Sequence, residues 1–257
     1  MIAVCLKWIG EAAVSGVSAA DEAAVEMALR HGESIGSSVI AVTVGGAAAD
    51  HCLRQALACG VKAAVRVDAS EPLDSPAVAA ALSPVVAHTT AVWCGDYSTD
   101  RGTGSVPAFL AALLDRQQAL GVVGVEFIDP LRVTRRLDGG RREVLRVTGP
   151  SVLSVEGSVA RLRRASLRAA LSAQTADVLQ YGTPLASTAT TSAYVVQRYR
   201  PRARVLTAPK GVTALDRLRV LTDASAAPQP GEIVEASPPD AARRIIEVLG
   251  DWGYLTH

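Results

Sequence analysis

Residues 91–114 read AVWCGDYSTDRGTGSVPAFLAALL, and this stretch decides the fold. AVWCG is a short apolar run of the kind that forms a buried strand. It breaks into a polar turn holding Asp100, Arg101, Gly102, Thr103 and Gly104, and SVPAFLAALL then begins an Ala/Leu helix at once. Pro107 suits the first helical turn, where its missing N–H costs nothing. A helix that starts directly after such a turn presents unpaired backbone N–H groups and a partial positive charge. Glycines let an anion approach that backbone closely. Gly102, Thr103, Gly104 and Ser105 therefore form a candidate phosphate cradle, with the Thr103 and Ser105 hydroxyls as further donors. The turn has no GxxxxGK[ST] lysine, so it is not a P-loop, and an ordinary glycine-rich loop with a helix cap stays open as the alternative.

Upstream, strand-like and helix-like segments alternate. IAVCLKWI (2–9) reads as a strand, and a Gly/Ser/Ala loop leads from it to DEAAVEMALRHGES (21–34). There Ala24, Met27, Ala28 and His31 fall at helical spacing, and Asp21 and Glu22 sit where a helix start favours acids. SVIAVTVGG (38–46) lacks the polar alternation of a half-exposed strand, which suits a strand covered on both faces. AADHCLRQALACG (48–60) predicts a second helix closed by Gly60, VKAAVRVD (61–68) a third strand, and residues 75–88 a third helix. This order predicts an α/β fold with a doubly wound, mostly parallel sheet. Ligands of such sheets bind beyond the carboxyl ends of the strands. Three of those ends are glycine-bearing or loop-rich: residues 10–18, Gly45–Gly46 and Gly95–Gly104.

Downstream the pattern changes. LRVTRRLDGGRREVLRV (131–147) predicts an inserted β-hairpin turning at Asp138–Gly139–Gly140, and SVLSVEG (151–157) another strand. RLRRASLRAALSAQ (161–174) mixes arginines with Leu162, Leu167 and Leu171. Residues 181–210 read as an extended arm, 222–232 as a loop, and SPPDAARRIIEVLGDWGYL (237–255) as a capped terminal helix. The expected division is a nucleotide-binding domain over 1–180 and a C-terminal arm with its helix over 181–257.

The chain has 257 residues, 49% hydrophobic but only 4% aromatic, so its core rests on Ala, Val and Leu. A net charge of +1 gives no global pull toward nucleic acid or membrane. The charge is uneven: residues 1–100 hold 5 Lys/Arg against 11 Asp/Glu, and the remainder 21 against 14. That asymmetry is compatible with docking onto a charged protein, or with an unevenly solvated surface. Cys5, Cys52, Cys59 and Cys94 lack CxxC spacing, so reduced thiols in a cytoplasmic protein are expected rather than a metal site or disulfides. MIAVCLKW does not read as a signal peptide, and no apolar run reaches the ~18–20 residues of a membrane span. The four histidines are scattered; His31 and His88, at helix ends, read as caps or surface residues. HExxH is missing, and no acid–base pair stands out. The chain looks like a carrier rather than an enzyme.

Taken in order, IAVCLKWI, DEAAVEMALRHGE, VIAVTVGG, LRQALACGVKAAVRVD, the 91–114 stretch, RRLDGGRREVL and SVEGSVARLRRASLRAALSA resemble the beta (small) subunit of electron transfer flavoprotein, the family that includes the FixA proteins. The resemblance covers about residues 1–175 well and the rest loosely. The Arg- and Ala-rich character looks like actinobacterial members, including those encoded beside mycofactocin genes. The resemblance implies a heterodimer that takes electrons from a dehydrogenase and passes them on through an FAD shared with the alpha subunit. It also implies AMP, or in the bifurcating branch a second FAD, in the beta-subunit site. The family's adenine contacts fall at Cys5 and Val44, and its phosphate turn runs from Gly95 to Ser105, including Asp100. Where the family carries an Asn-Pro pair and a Gln, this chain has Ser18–Ala19 and, near Tyr97, an aromatic. The family's recognition segment for dehydrogenases falls on RLRRASLRAAL, with Leu167 as anchor and Arg161, Arg163, Arg164 and Arg168 around it; an amphipathic helix packed on its own sheet is the plain alternative. Two rivals stay open: a stand-alone adenylate-binding regulator of the same architecture, and an adenine-nucleotide hydrolase using Asp100 or Thr103.

Overall fold

The computed structural model describes residues 1–11, 14–69, 73–100, 102–182, 212–222, 235–252 and 254. They fall into two compact units, Met1–Tyr194 and Val195–His257. In the first unit β1 (Ile2–Leu6), β2 (Ile9–Glu11), β3 (Val14–Gly16), α1 (Ala19–Ile35), β4 (Val39–Gly45), α2 (Asp50–Ala58), β5 (Ala63–Asp68), α3 (Ser75–Val86) and β6 (Ala91–Gly95) come first. Then follow α4 (Val106–Leu113), β7 (Gln117–Glu126), β8 (Leu131–Arg136), β9 (Arg142–Val147), β10 (Ser151–Val155), α5 (Leu167–Gln174) and β11 (Leu179–Tyr181). Nine strands form one sheet in the order β11-β5-β4-β1-β6-β10-β7-β8-β9. The pairings from β11 across to β7 are all parallel, and β8 and β9 add an antiparallel edge. The α/β, mostly parallel sheet expected from the alternation is therefore the observed architecture.

β1 explains why the apolar runs lack alternation. All five of its residues are buried. Ile2, Val4 and Leu6 point into the core under α1 and α2, whereas Ala3 and Cys5 point into the core under α3 and α4. Because successive side chains face opposite sides, a strand covered on both faces needs apolar residues throughout. The helices approach through alanine: Ala23, Ala24 and Ala28 of α1 and Ala79 and Ala81 of α3 are fully buried. Trp93 is the large exception, and its buried indole N–H donates to His31 Nδ1 at 3.2 Å. Burial holds the His31 imidazole below its usual range. His31 is thus a core partner, not the cap or surface residue that its place near a helix end suggests.

Other departures from the periodicity have local causes. The first strand stops at Leu6 rather than residue 9, because the Lys7 N–H turns to Asp21 Oδ2 at 3.2 Å. Where a loop is expected, β2 and β3 pair into a small antiparallel ribbon. Within residues 161–174 a helix begins only at Leu167, capped by Ser166 Oγ, which accepts from Ala169 N at 3.1 Å. The arm expected over 181–210 lies outside the described residues from 183 onward. In the second unit, α6 (Ala214–Thr222) and α7 (Pro238–Asp251) are helical. Leu215, Leu218, Ile245 and Ile246 are exposed on them.

Candidate functional site

The chain runs outward from β1 through β4 to β5, then returns by α3 to place β6 on the other side of β1. The direction of winding reverses there, which is where open α/β sheets bind ligands. A cavity of about 420 Å³ lies at the carboxyl ends of β1, β4 and β6. Pockets for small ligands run from about 300 to 1,000 Å³. Of the residues singled out from sequence, Cys5, Val44, Gly95, Asp100, Thr103, Gly104 and Ser105 all line this one cavity. Gly102 stands behind it: a side chain there would meet the Tyr97 ring at 3.2 Å.

Each wall follows from local sequence. Cys5 and Cys94 stand opposite each other in the β1–β6 register, both thiols unpaired by disulfide. Bonding to Cys5 and burial push the Cys94 thiol well up, so it is a small apolar group of the floor rather than a nucleophile. Gly95 lets α1 close the cavity, since a Cβ there would lie 2.5 Å from Asp21 Oδ1. Gly104 has φ +55°, and a Cβ would lie 2.2 Å from the Asp96 carbonyl oxygen. Only glycine suits both that conformation and that approach. No described group accepts from the amide N–H of Thr103, Gly104, Ser105 or Val106. The Ser105 hydroxyl lies 3.2 Å from that of Thr103. The start of α4 thus offers open backbone donors at the rim, the arrangement that receives anions.

Sequence reasoning missed three wall residues. Asp21, on the first turn of α1, is buried beside Gly95, and burial pushes its carboxyl up to about 7 against the hydrogen bonds that favour the anion. Lys7 reaches Asp100 with an Nζ–Oδ2 distance of 2.5 Å. Trp8 lines the cavity and packs against His51, the rings tilted by 35° with centroids 5.2 Å apart. Asp21 was legible as a helix-start acid, but nothing local marks it as part of a cavity. Lys7 shows a weak signal as a cation directly after a buried strand.

The second predicted region is the 161–171 segment. Leu167 is 76% exposed at the first turn of α5, with Leu171 exposed one turn later. Arg164 faces a separate cavity with Glu22, Arg54 and Gln55, and Arg168 is exposed. Arg163 belongs elsewhere than the expected rim. It holds Glu26 of α1 through Nε at 3.0 Å and the backbone N at 3.1 Å, and also pairs with Glu33. Burial pushes the Glu26 carboxyl up, but bonds from Arg163 and Arg30 outweigh it and hold it below the usual range. At the other end, Arg54 Nη1 donates to the carbonyls of Ala173, Gln174 and Ala176 at 3.0, 2.5 and 3.1 Å. A cation at a helix C-terminus satisfies its orphan carbonyls and its dipole.

The fold and crevice define an open, doubly wound α/β protein with its ligand cavity at the switch point of the sheet. Residues 7–192 match the family described as electron transfer flavoprotein domain. The chain is 31% identical over 167 residues to an electron transfer flavoprotein subunit beta of Methylophilus methylotrophus, covering 62% of this chain and 63% of that protein. It is 33% identical over 145 residues to a probable electron transfer flavoprotein subunit beta of Saccharomyces cerevisiae, covering 53% and 55%. Against protein FixA of Rhizobium meliloti the identity is 30% over 174 residues, covering 63% and 59%. The chain therefore belongs to the electron transfer flavoprotein family, on its beta-subunit side. Its matches span about 55–63% of the length of these relatives. No helix among the described residues is long and apolar enough to cross a membrane.

Proposed function

We propose that the chain is the small subunit of a two-chain electron carrier, holding an adenylate in the cavity at the ends of β1, β4 and β6. One observation carries this: Cys5, Val44, Gly95, Asp100, Thr103, Gly104 and Ser105, which fall at the family's nucleotide contacts, line a single cavity at the switch point. The cradle fits a phosphate on its own geometry, with open amides from Thr103 to Val106 and a glycine at the closest approach. Cys5 and Val44 supply the flat apolar floor for an adenine, as AMP or as the adenylate part of a second FAD.

The relatives named subunit beta support pairing with an alpha subunit, with which this chain shares an FAD. The flavin supplies the redox chemistry, and the protein supplies binding and orientation. In this reading the chain carries no catalytic residue. The exposed apolar side chains of α6 and α7 contact the alpha subunit. Leu167, with Arg164 and Arg168 near it, forms an apolar anchor in a polar rim for the donor dehydrogenase. The unpaired thiols suit a reducing compartment such as the cytoplasm. The test is co-expression with a candidate alpha subunit followed by size exclusion. The expected result is a one-to-one complex with flavin absorbance; a well-behaved monomer that ignores the alpha subunit contradicts the proposal and favours a stand-alone adenylate regulator.

A further inference from the structure

The cavity poses an electrostatic problem that the backbone cradle does not solve. A nucleotide phosphate brings negative charge to a wall that already contains Asp21 and Asp100. Among the described lining residues one side chain is cationic, and it is Lys7. Its position is set from behind. The Lys7 N–H is held by Asp21 Oδ2 at 3.2 Å, and the next residue, Trp8, packs against the His51 ring. The stem therefore leaves β1 in a fixed direction, and the ammonium lands on Asp100 at 2.5 Å, in the same turn as the open amides of Thr103 to Val106.

We infer that Lys7 is the phosphate-binding cation of this cavity and that Asp100 is its stand-in counter-ion, displaced when a phosphate enters. The inference rests on the adenylate reading given above and adds to it a charged ligand and a competitor. The Lys7 side chain is 43% exposed and that of Asp100 26%, so the ion pair is open to water. Solvent-exposed pairs of that kind contribute little, so exchanging one anion for another at the ammonium is not costly. A phosphate seated at the amides would receive two kinds of donor at once, fixed N–H groups and a mobile ammonium. Charge-assisted bonds are roughly twice as strong as neutral ones. Asp100 would then face the phosphate as a like charge. The same residue that shares the turn with the cradle thus opposes the ligand that the cradle holds.

That opposition makes the inference testable in both directions. The full chain, stripped of nucleotide, is titrated calorimetrically with AMP and, separately, with adenosine, which lacks the phosphate. Lys7→Met is expected to weaken AMP about tenfold and to leave adenosine within about twofold. Asp100→Asn is expected to tighten AMP several-fold, again without moving adenosine. Thermal melts confirm that both variants are folded, and Lys7→Gln serves if Lys7→Met is not. Unchanged AMP affinity in the Lys7 variants, an equal loss of AMP and adenosine, or weaker AMP binding in Asp100→Asn would each overturn the assignment. If the unaltered chain binds neither AMP nor adenosine, the adenylate reading itself fails; if it binds both and Lys7→Met is silent, only the role of Lys7 fails.

Discussion

The crevice at the switch point of the sheet and the α5 segment lie in one compact unit and are built on opposite principles. The crevice is shaped by what is missing: Gly95 and Gly104 omit side chains that would strike α1 and the Asp96 carbonyl, and among the described residues nothing accepts from the amides of Thr103 to Val106. The α5 segment is shaped by what is added. Arg163 is tied to Glu26 and Glu33 on α1, and Arg54 closes the last turn of α5. A concave site needs room and open donors for its ligand. The convex face that exposes Leu167 is instead tied down by ion pairs and helix-end bonds to α1 and α2. The two share α1, whose first turn walls the cavity through Asp21 while Glu26, one turn later, grips Arg163.

The largest effect is expected from Gly104→Val. The substitution forces a β-branched residue into φ +55° with a Cβ 2.2 Å from a backbone oxygen. Strain of about 1–3 kcal/mol, added to loss of the cradle, should weaken AMP by roughly 100-fold or more in calorimetric titration. Retained affinity would mean that the turn is not the phosphate site.

Glu26→Gln attacks the other region. The Glu26 side chain is only 4% exposed, and its loss leaves Arg163 without its main partner. Arg163 is one-third exposed, which softens the penalty to about 2 kcal/mol in chemical denaturation. Hydrogen exchange should quicken across residues 160–174 while AMP affinity stays put. Because the folded Glu26 carboxyl sits below its unfolded value, its contribution is present above the usual carboxylate range and fades as pH falls through the lowered value. Glu26→Gln should accordingly lose its deficit against the unaltered chain in acid.

Asp21 has the reverse sign. Its carboxyl is raised to about 7 by burial, so the folded chain binds a proton that the unfolded chain releases between about pH 4 and 7. Stability should rise as pH falls through that window. Asp21→Asn, which mimics the protonated form, should melt higher than the unaltered chain at pH 8, by about 5 °C, and lose that advantage near pH 4. An advantage that persists at pH 4 would show that ionisation is not the cause.

The smallest stability effect belongs to Leu167→Ala. An exposed side chain should cost less than about 0.5 kcal/mol, yet electron transfer from the donor dehydrogenase should slow with flavin content intact. Loss of flavin or of stability would instead give Leu167 a packing role.

Much of the crevice was legible because its parts are local. A buried run, a glycine turn and a helix start are neighbours in the chain, so the turn before α4 could be placed by strand-end logic, whereas Cys5 and Val44 were singled out only through the family resemblance. What could not be read depends on distant partners. Asp21 resembles any helix-start acid until Gly95 is seen against it, and Arg163 resembles a rim residue until Glu26, 137 positions away, is found on it. β7 was hidden for another reason. Its sequence QQALGVVGVE carries two glycines, and the Gly121 N–H is taken by Ser154 Oγ where the register with β10 shifts. His31 shows the limit of position alone: near a helix end, it is nonetheless the acceptor for the buried Trp93 indole.

The claim beneath these comparisons is that the ends of β1, β4 and β6 hold an adenylate. Its most direct test is to purify the chain in complex with its alpha subunit, denature it, and identify the released nucleotides by mass and absorbance. The account predicts one adenine nucleotide per chain beyond the shared FAD, either AMP or a second FAD. A complex that releases the shared FAD alone, or nothing, would contradict it.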